Sequence, residues 1–220
     1  MYFTLLKPIY SIFIIIVLCY ASISGLSDAS QDDIGTIESM DARHIKCMQA
    51  VSETTIDMLI ATRNVIAKNQ ELINRDPATG NYYIKGFVPA VAGSQVANDF
   101  SLMTGHRLKQ TSLKVRNPSN APDKWEKKML KFLGTGRYSR GKGIGEIVNE
   151  NGKKIYRYMK PIYVEVACLQ CHGNKEEVIP EIRQFLDKKY PLDEAFGYKE
   201  GDLRGGISLI ISFKNPDTKK

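Results

Sequence analysis

Apolar positions recur along this chain with two different periods. Ile37, Met40, His44, Cys47, Val51, Met58, Ala61, Val65 and Leu72 follow one another at steps of three, four or seven, with polar residues between them. That is the period of a helix with one face turned to a core. No Gly or Pro interrupts the pattern before Asp76-Pro77-Ala78-Thr79-Gly80 stops it. The spacing predicts one long helix from Ile37 to Ile73, or two in succession, with Cys47 on the inward stripe one turn from His44. Residues 81–87 read as a short strand or an extended segment. Pro89 to Met103 reads as a second helix, with Pro at its start and Gly105 beyond its end. Residues 107–115 read as extended, 116–123 as a structured turn, and Lys124 to Leu133 as a third helix. The connection over 134–145 is rich in glycine but lacks the spacing of a phosphate-binding loop. Beyond it the period changes to two. Residues 144–149 and 153–163 alternate and are joined by Glu150-Asn151-Gly152, a hairpin signal. Residues 175–189 read as a helix and 205–213 as a last strand. A long helix followed by an antiparallel meander with helical inserts is an α+β order. One domain is expected over 37–214, with a frayed tail over 215–220.

The N-terminus belongs to targeting, not to this fold. Lys7 is the only early charge, and Ile9–Ile23 is a continuous apolar run. Such a run is the hydrophobic region of a secretory signal or a single membrane anchor. Cleavage after Ala29 or near Ser24 fits a small-residue rule, and residues 30–36 follow as a polar linker. Export with cleavage is the favoured reading, with an uncleaved anchor through residues 9–26 as the alternative. Either way the body is expected outside the cytoplasm, in a periplasm or its equivalent. Composition is that of a globular protein, 43% hydrophobic and 25% charged over 220 residues, which excludes disordered, collagen-like and polytopic membrane classes. The formal charge is 31 − 24 = +7. Its lysines are scattered and no nucleic-acid motif accompanies them, so no nucleic-acid partner is expected. The charge would instead steer the protein toward an acidic protein partner.

Four cysteines and three histidines make the inventory of soft ligands short. Cys19 lies in the apolar run, which leaves Cys47, Cys168 and Cys171 in the body. Cys168-Leu169-Gln170-Cys171-His172 is the sharp signal, because it has the spacing of a c-type haem attachment site. Two thiols two residues apart can each add to a vinyl group of one macrocycle, and the following histidine reaches the iron as proximal ligand. A structural zinc site would need four ligands, and no second pair completes one. A thioredoxin-like redox pair would need a βαβ setting that the pattern lacks. One motif implies one covalent haem c. The residues alone leave the sixth iron position open between Cys47 and the histidines, with Met159 as a rival near the haem box.

Several separate blocks resemble the monohaem c-type cytochromes built on a PAS-like haem-binding domain. Lys46-Cys47 with Ala50-Val51 is similar to that family's early helix. Arg116-Asn117-Pro118, Asn120, Pro122-Asp123 and Trp125-Glu126 resemble its RNPxNxPDxWE signature. Pro161 ahead of Cys168–Gly173 resembles its haem box, and Tyr190-Pro191, Asp193, Ala195, Gly197-Tyr198 and Gly201–Gly205 its closing segment. The resemblance covers about residues 40–213. It implies a PAS-like fold, and it implies Cys47 as the axial thiolate opposite His172.

A thiolate favours ferric iron and so a low reduction potential. The expected role is an exported, low-potential electron carrier or redox partner, with no catalytic residue of its own. The alternative is a redox or gas sensor in which NO or CO displaces the thiolate and a partner protein carries the output. A catalytic haem would need an open distal site with an acid/base residue. Arg116, Arg157 and Arg204 could neutralise haem propionates, although turn-stabilising arginines are commoner. Asn117, Asp123, Trp125 and Glu126 are expected to hold the turn before the third helix. Tyr163 and Tyr198 could pack on a haem edge or simply fill core.

Overall fold

The computed structural model describes residues 42–212, so the expected export segment, the linker and the tail lie outside the described residues. The chain divides into two compact units, residues 1–54 with 213–220, and residues 55–212. Of the first unit the described part is the opening of helix α1. The second holds every other element.

Helix α1 runs Ala42–Lys68 and is followed at Asn69 by a short helix α2, Gln70–Asn74. The break is slight, since the Asn69 N–H still reaches Val65 O at 3.2 Å and the Ile73 N–H reaches Asn69 O at 2.9 Å. Beyond α2, the Asp76 carboxylate accepts from the N–H groups of Ala78 and Thr79, which turns the chain as the sequence predicts. The inward face of α1 is not the expected one. Met48, Ser52, Ile56 and Leu59 are buried, whereas Met58 is 69% exposed, Leu72 is 77% exposed, and Val51 and Val65 are also exposed. Two stripes at helical spacing lie side by side on this helix, and periodicity does not say which meets a core. Ser52 disguised the buried one. It reads as polar, yet its hydroxyl is satisfied by Met48 O at 2.7 Å. His44 and Cys47 are half-buried, beside the buried row.

Residues 81–87 form no strand, only an isolated bridge between Arg75 and Tyr82. Their backbone is satisfied locally: the Tyr83 N–H donates to Asn74 O at 3.0 Å and the Lys85 N–H to Asn74 Oδ1 at 2.8 Å. Helix α3, Pro89–Thr104, begins at its proline and ends on Gly105 with φ 73°. Strand β1, Arg107–Thr111, follows, then a 3-10 turn at Pro118–Asn120 and helix α4 at Lys124–Leu133. Strands β2, Ile144–Glu150, and β3, Lys153–Tyr163, form the expected hairpin. Asn151 (φ 54°) and Gly152 (φ 79°) supply the two positive φ angles that such a tight turn requires. Val166–Cys168 is a 3-10 turn leading into helix α5, Leu169–His172. Helix α6 spans Pro180–Lys189 and so starts five residues later than expected. Pro180 has no N–H and fits the first helical position, where none is needed. Strand β4, Leu203–Ser212, closes the chain.

The four strands form one antiparallel sheet in the order β1-β4-β3-β2. This is the expected α+β class with an antiparallel sheet. Tyr156 and Tyr158 on β3 and Ile207 and Leu209 on β4 are almost fully buried. Under α4, Met129, Leu130 and Leu133 pack with Met159.

The N-terminus of α4 is a reciprocal cap. Asp123 accepts from the Glu126 N–H at 2.8 Å, and the Glu126 carboxylate accepts from the Asp123 N–H at 2.9 Å. Arg157, only 3% exposed, donates to Asp123 at 2.5 Å and lies 4.6 Å from the Trp125 ring. These residues do what the sequence predicts and hold the turn before the helix. Burial pushes the Asp123 carboxyl up, but the Glu126 N–H and the Arg157 guanidinium outweigh it and hold the group below its ordinary value. A depressed carboxyl contributes stability above the unfolded-state pKa of about 3.9, and that stability is lost as pH falls through the lower folded value. Asp123→Asn should therefore flatten the loss of unfolding free energy below about pH 4 while keeping a capping acceptor. Acid titration of urea unfolding checks this, and equal acid limbs for the two proteins would remove Asp123 from the account.

Candidate functional site: the Cys168–His172 turn

Cys168, Cys171 and His172 lie on one tight turn, where the Val166–Cys168 3-10 turn passes into α5. Both cysteines are free and half-buried. The turn is braced from behind by the segment before β4. The Gly197 N–H donates to Gly173 O at 2.8 Å, the Tyr198 N–H to His172 O at 3.0 Å, and the Gly201 N–H to Val164 O at 2.8 Å. Gly173 closes the turn with its N–H on Leu169 O, and a Cβ there would stand 2.8 Å from that same oxygen. A side chain at 173 would force the turn open.

His172 is the most constrained group. Its Nδ1 lies 2.8 Å from Ala195 O. A carbonyl only accepts, so Nδ1 carries the proton and Nε2 keeps the lone pair. Burial first, then the positive charges of Arg204 and Arg116, push the imidazole well below the ordinary histidine pKa. The ring is therefore neutral at neutral pH, which is the ligating form. The Tyr198 ring meets it edge-on, with centroids 6.2 Å apart. Tyr198 is thus both core and neighbour of the box, while Tyr163 stacks on Arg140 instead, at 4.8 Å.

The separate sequence blocks converge here. The Arg116 Nε donates to Asp193 Oδ2 at 2.6 Å and its Nη2 to Cys171 O at 2.5 Å. Asp193 Oδ1 in turn accepts from the Ala195 N–H at 2.8 Å, and Ala195 O is the acceptor that orients His172. One salt bridge therefore couples the 116–126 block, the cysteine box and the closing segment into a single support for one imidazole. Burial pushes the Cys171 thiol up, against the pull of Arg116. Cys168 and Leu169 pack against Val164, Ala195 and Tyr198, whereas Cys171 borders the cluster of Val178, Ile182 and Leu186 under α6.

Met159 is fully buried in the separate cluster under α4. His106 is half-buried after the end of α3. Cys47 lies on the part of α1 that belongs to the first unit, and it is disulfide-bonded. Arg157 belongs to the α4 cap and Arg116 to Asp193, so both are the turn-stabilising arginines that composition favours. Arg204 is not, because it meets Ser112, Lys114 O and the Tyr198 ring instead. The sequence reading passed over Arg63 of α1, which lies on the buried face that Ser52 disguised.

The setting of the Cys-x-x-Cys pair is not that of a thioredoxin-like site. The sheet is wholly antiparallel, so no βαβ unit surrounds the pair. Among the described residues no group of three or more His, Cys, Asp or Glu is placed to hold a metal ion, and no helix is long and apolar enough to cross a membrane.

No curated protein matches the chain. Its fold is similar to that of the crystal structure of the cyanobacterial heme-protein Tll0287, with a TM-score of 0.58 and 24% identity, over 76% of this chain and 94% of that one. Over residues 42–212, which include the Arg116 block, the cysteine box and the closing segment, the sequence matches the Tll0287-like family, and the chain belongs to that family.

Proposed function

We propose that this protein is an exported monohaem c-type cytochrome that serves as a low-potential electron carrier or redox partner. The observation that carries the reading is the state of the cysteine box. Two free thiols stand beside a neutral imidazole whose Nδ1 is committed to Ala195 O, leaving Nε2 as its one lone pair. In the attachment each S–H adds across a vinyl C=C. The sulfur bonds one carbon, the hydrogen goes to its neighbour, and no oxidant is consumed. Such an addition needs thiols outside any disulfide, and Cys168 and Cys171 are placed so. When bound, the haem supplies one-electron exchange between ferric and ferrous iron. The chain's own residues would tether it at Cys168 and Cys171, hold the proximal position with His172, and fix that imidazole through Ala195, Asp193 and Arg116. The relative named as a heme-protein supports the cofactor class.

Cys47 is our proposed second axial ligand. A sulfur in a disulfide has no thiolate to give, so the disulfide of Cys47 and its ligation of iron are alternatives. Removal of a leader that contains Cys19 would leave Cys47 as the single unassigned cysteine of the mature chain. Export and a possible anchor through residues 9–26 rest on the apolar run. The +7 charge favours an acidic protein partner.

The deciding experiment uses full chain matured with a cytochrome c assembly system. A carrier with two protein ligands should show a Soret band, retain its haem through denaturing electrophoresis, and leave the ferrous spectrum unchanged under CO or NO. Ready uptake of either gas without denaturant would favour the sensor reading, and colourless protein would remove the haem reading altogether.

A further inference from the structure

Buried guanidinium groups in proteins normally meet a carboxylate, because an unpaired charge withdrawn from water is costly. Arg116 and Arg157 obey this rule. Arg63 and Arg204, both half-buried, do not: among the described residues neither forms an ion pair, although Asp193 is within electrostatic reach of Arg204. Arg63 reaches from α1 to the carboxamide of Gln110 and to Pro89 O at 3.5 Å. The Arg204 Nη1 lies 2.6 Å from Ser112 Oγ and 3.3 Å from Lys114 O. All of these acceptors are neutral. Gln110 and Ser112 are two residues apart where β1 ends, so they lie on the same side of the extended chain. The two arginines are thus gathered toward one side of one segment, although like charges repel.

Their gathering is supported from both sides. Gly93 on α3 makes room, because a Cβ there would stand 2.9 Å from Gln110 Oε1 and 3.1 Å from the Arg63 side chain. The Arg204 guanidinium lies 5.3 Å from the Tyr198 ring, the same ring that meets His172 edge-on. Burial draws Arg63 down to about 10, and the charge of Arg204 adds to that fall.

We propose that Arg63 and Arg204 form the anion seat for the two propionates of the haem held by Cys168, Cys171 and His172, one guanidinium for each carboxylate. The inference rests on the c-type haem reading above. It supplies two carboxylates beside two half-buried guanidinium groups that form no ion pair among the described residues. A guanidinium offers a planar fork that matches a carboxylate, whereas lysine keeps the charge and loses the fork.

The test uses matured holoprotein carrying Arg63→Gln, Arg204→Gln, both together, and the corresponding lysine variants. Loss of a cation beside the haem destabilises the ferrous form less than it stabilises the more positive ferric form, so each glutamine variant should lower the midpoint potential and the double variant should lower it most. Lysine should restore most of the potential. The propionate-bending band in the resonance Raman spectrum, which reports hydrogen bonding to those carboxylates, should shift in both series. A purely structural arginine would change stability and leave the potential and the band where they are. Coloured glutamine variants with unmoved potential and band would overturn the assignment and leave the haem reading standing. Colourless wild-type protein would instead sink the haem reading. Should a glutamine variant fail to mature, its lysine counterpart carries the test, and an unshifted propionate band there overturns the proposal.

Discussion

Full chain carrying Cys168→Ser and Cys171→Ser, passed through a competent cytochrome c assembly system, should retain no haem after acid-acetone extraction, whereas the parent retains all of it. A serine hydroxyl does not form the thioether, so both covalent links are lost together. Each single variant should keep one link and hold its haem through extraction, with a shifted pyridine haemochrome band because one vinyl group stays unsaturated. The fold itself should tolerate the changes. Both side chains are only half-buried, and the turn is held by backbone bonds from Gly197, Tyr198 and Gly201, not by the sulfurs. Native circular dichroism of the double variant should therefore match the parent. Haem that survives extraction from the double variant would remove the cysteine box from the mechanism.

Cys47→Ser should change the electronic state of the iron. With thiolate opposite His172, ferric protein is expected to give a narrow rhombic low-spin resonance, and the variant should lose it. The midpoint potential should rise, because a thiolate stabilises ferric iron and axial ligands span about 0.8 V of potential. A companion measurement separates ligation from the disulfide. Denatured holoprotein that keeps its N-terminal segment should yield two titratable thiols, Cys19 and Cys47, if Cys47 binds iron and none if it stays in the disulfide, since Cys168 and Cys171 are consumed as thioethers. A wide bis-histidine signal in the parent, unchanged in Cys47→Ser, would end the assignment.

Local signals in this chain were legible where one residue type answers one geometric need. Pro89 and Gly105 bound α3, and Asp123 with Glu126 caps α4. Asn151-Gly152 turns the hairpin, because both positions need a positive φ. The cysteine box was legible for the same reason, since the spacing that a macrocycle would require is set by its own chemistry and not by the surrounding protein. The misreadings share a different cause. The 81–87 segment had strand-like composition, but Asn74 takes the N–H groups of Tyr83 and Lys85 that a ladder would have needed. Helix α1 offered two apolar stripes, and the buried one contained a serine. Choosing between them requires knowing what lies opposite, which no property of the helix itself records.

The same division runs through the site. Which atoms could tether a macrocycle and which imidazole could bind its iron were written in five consecutive residues, because those bonds are local and their spacing is chemical. How that imidazole is aimed depends on Arg116, Asp193 and Ala195, which are up to 79 positions apart along the chain and meet only through the closing segment. Likewise, the difference between a structural arginine and one awaiting an anion is absent from the residue type. It lies in whether folding delivers a carboxylate to the guanidinium. Folding does so for Arg116 and Arg157, whereas among the described residues the hydrogen-bond acceptors of Arg63 and Arg204 are neutral.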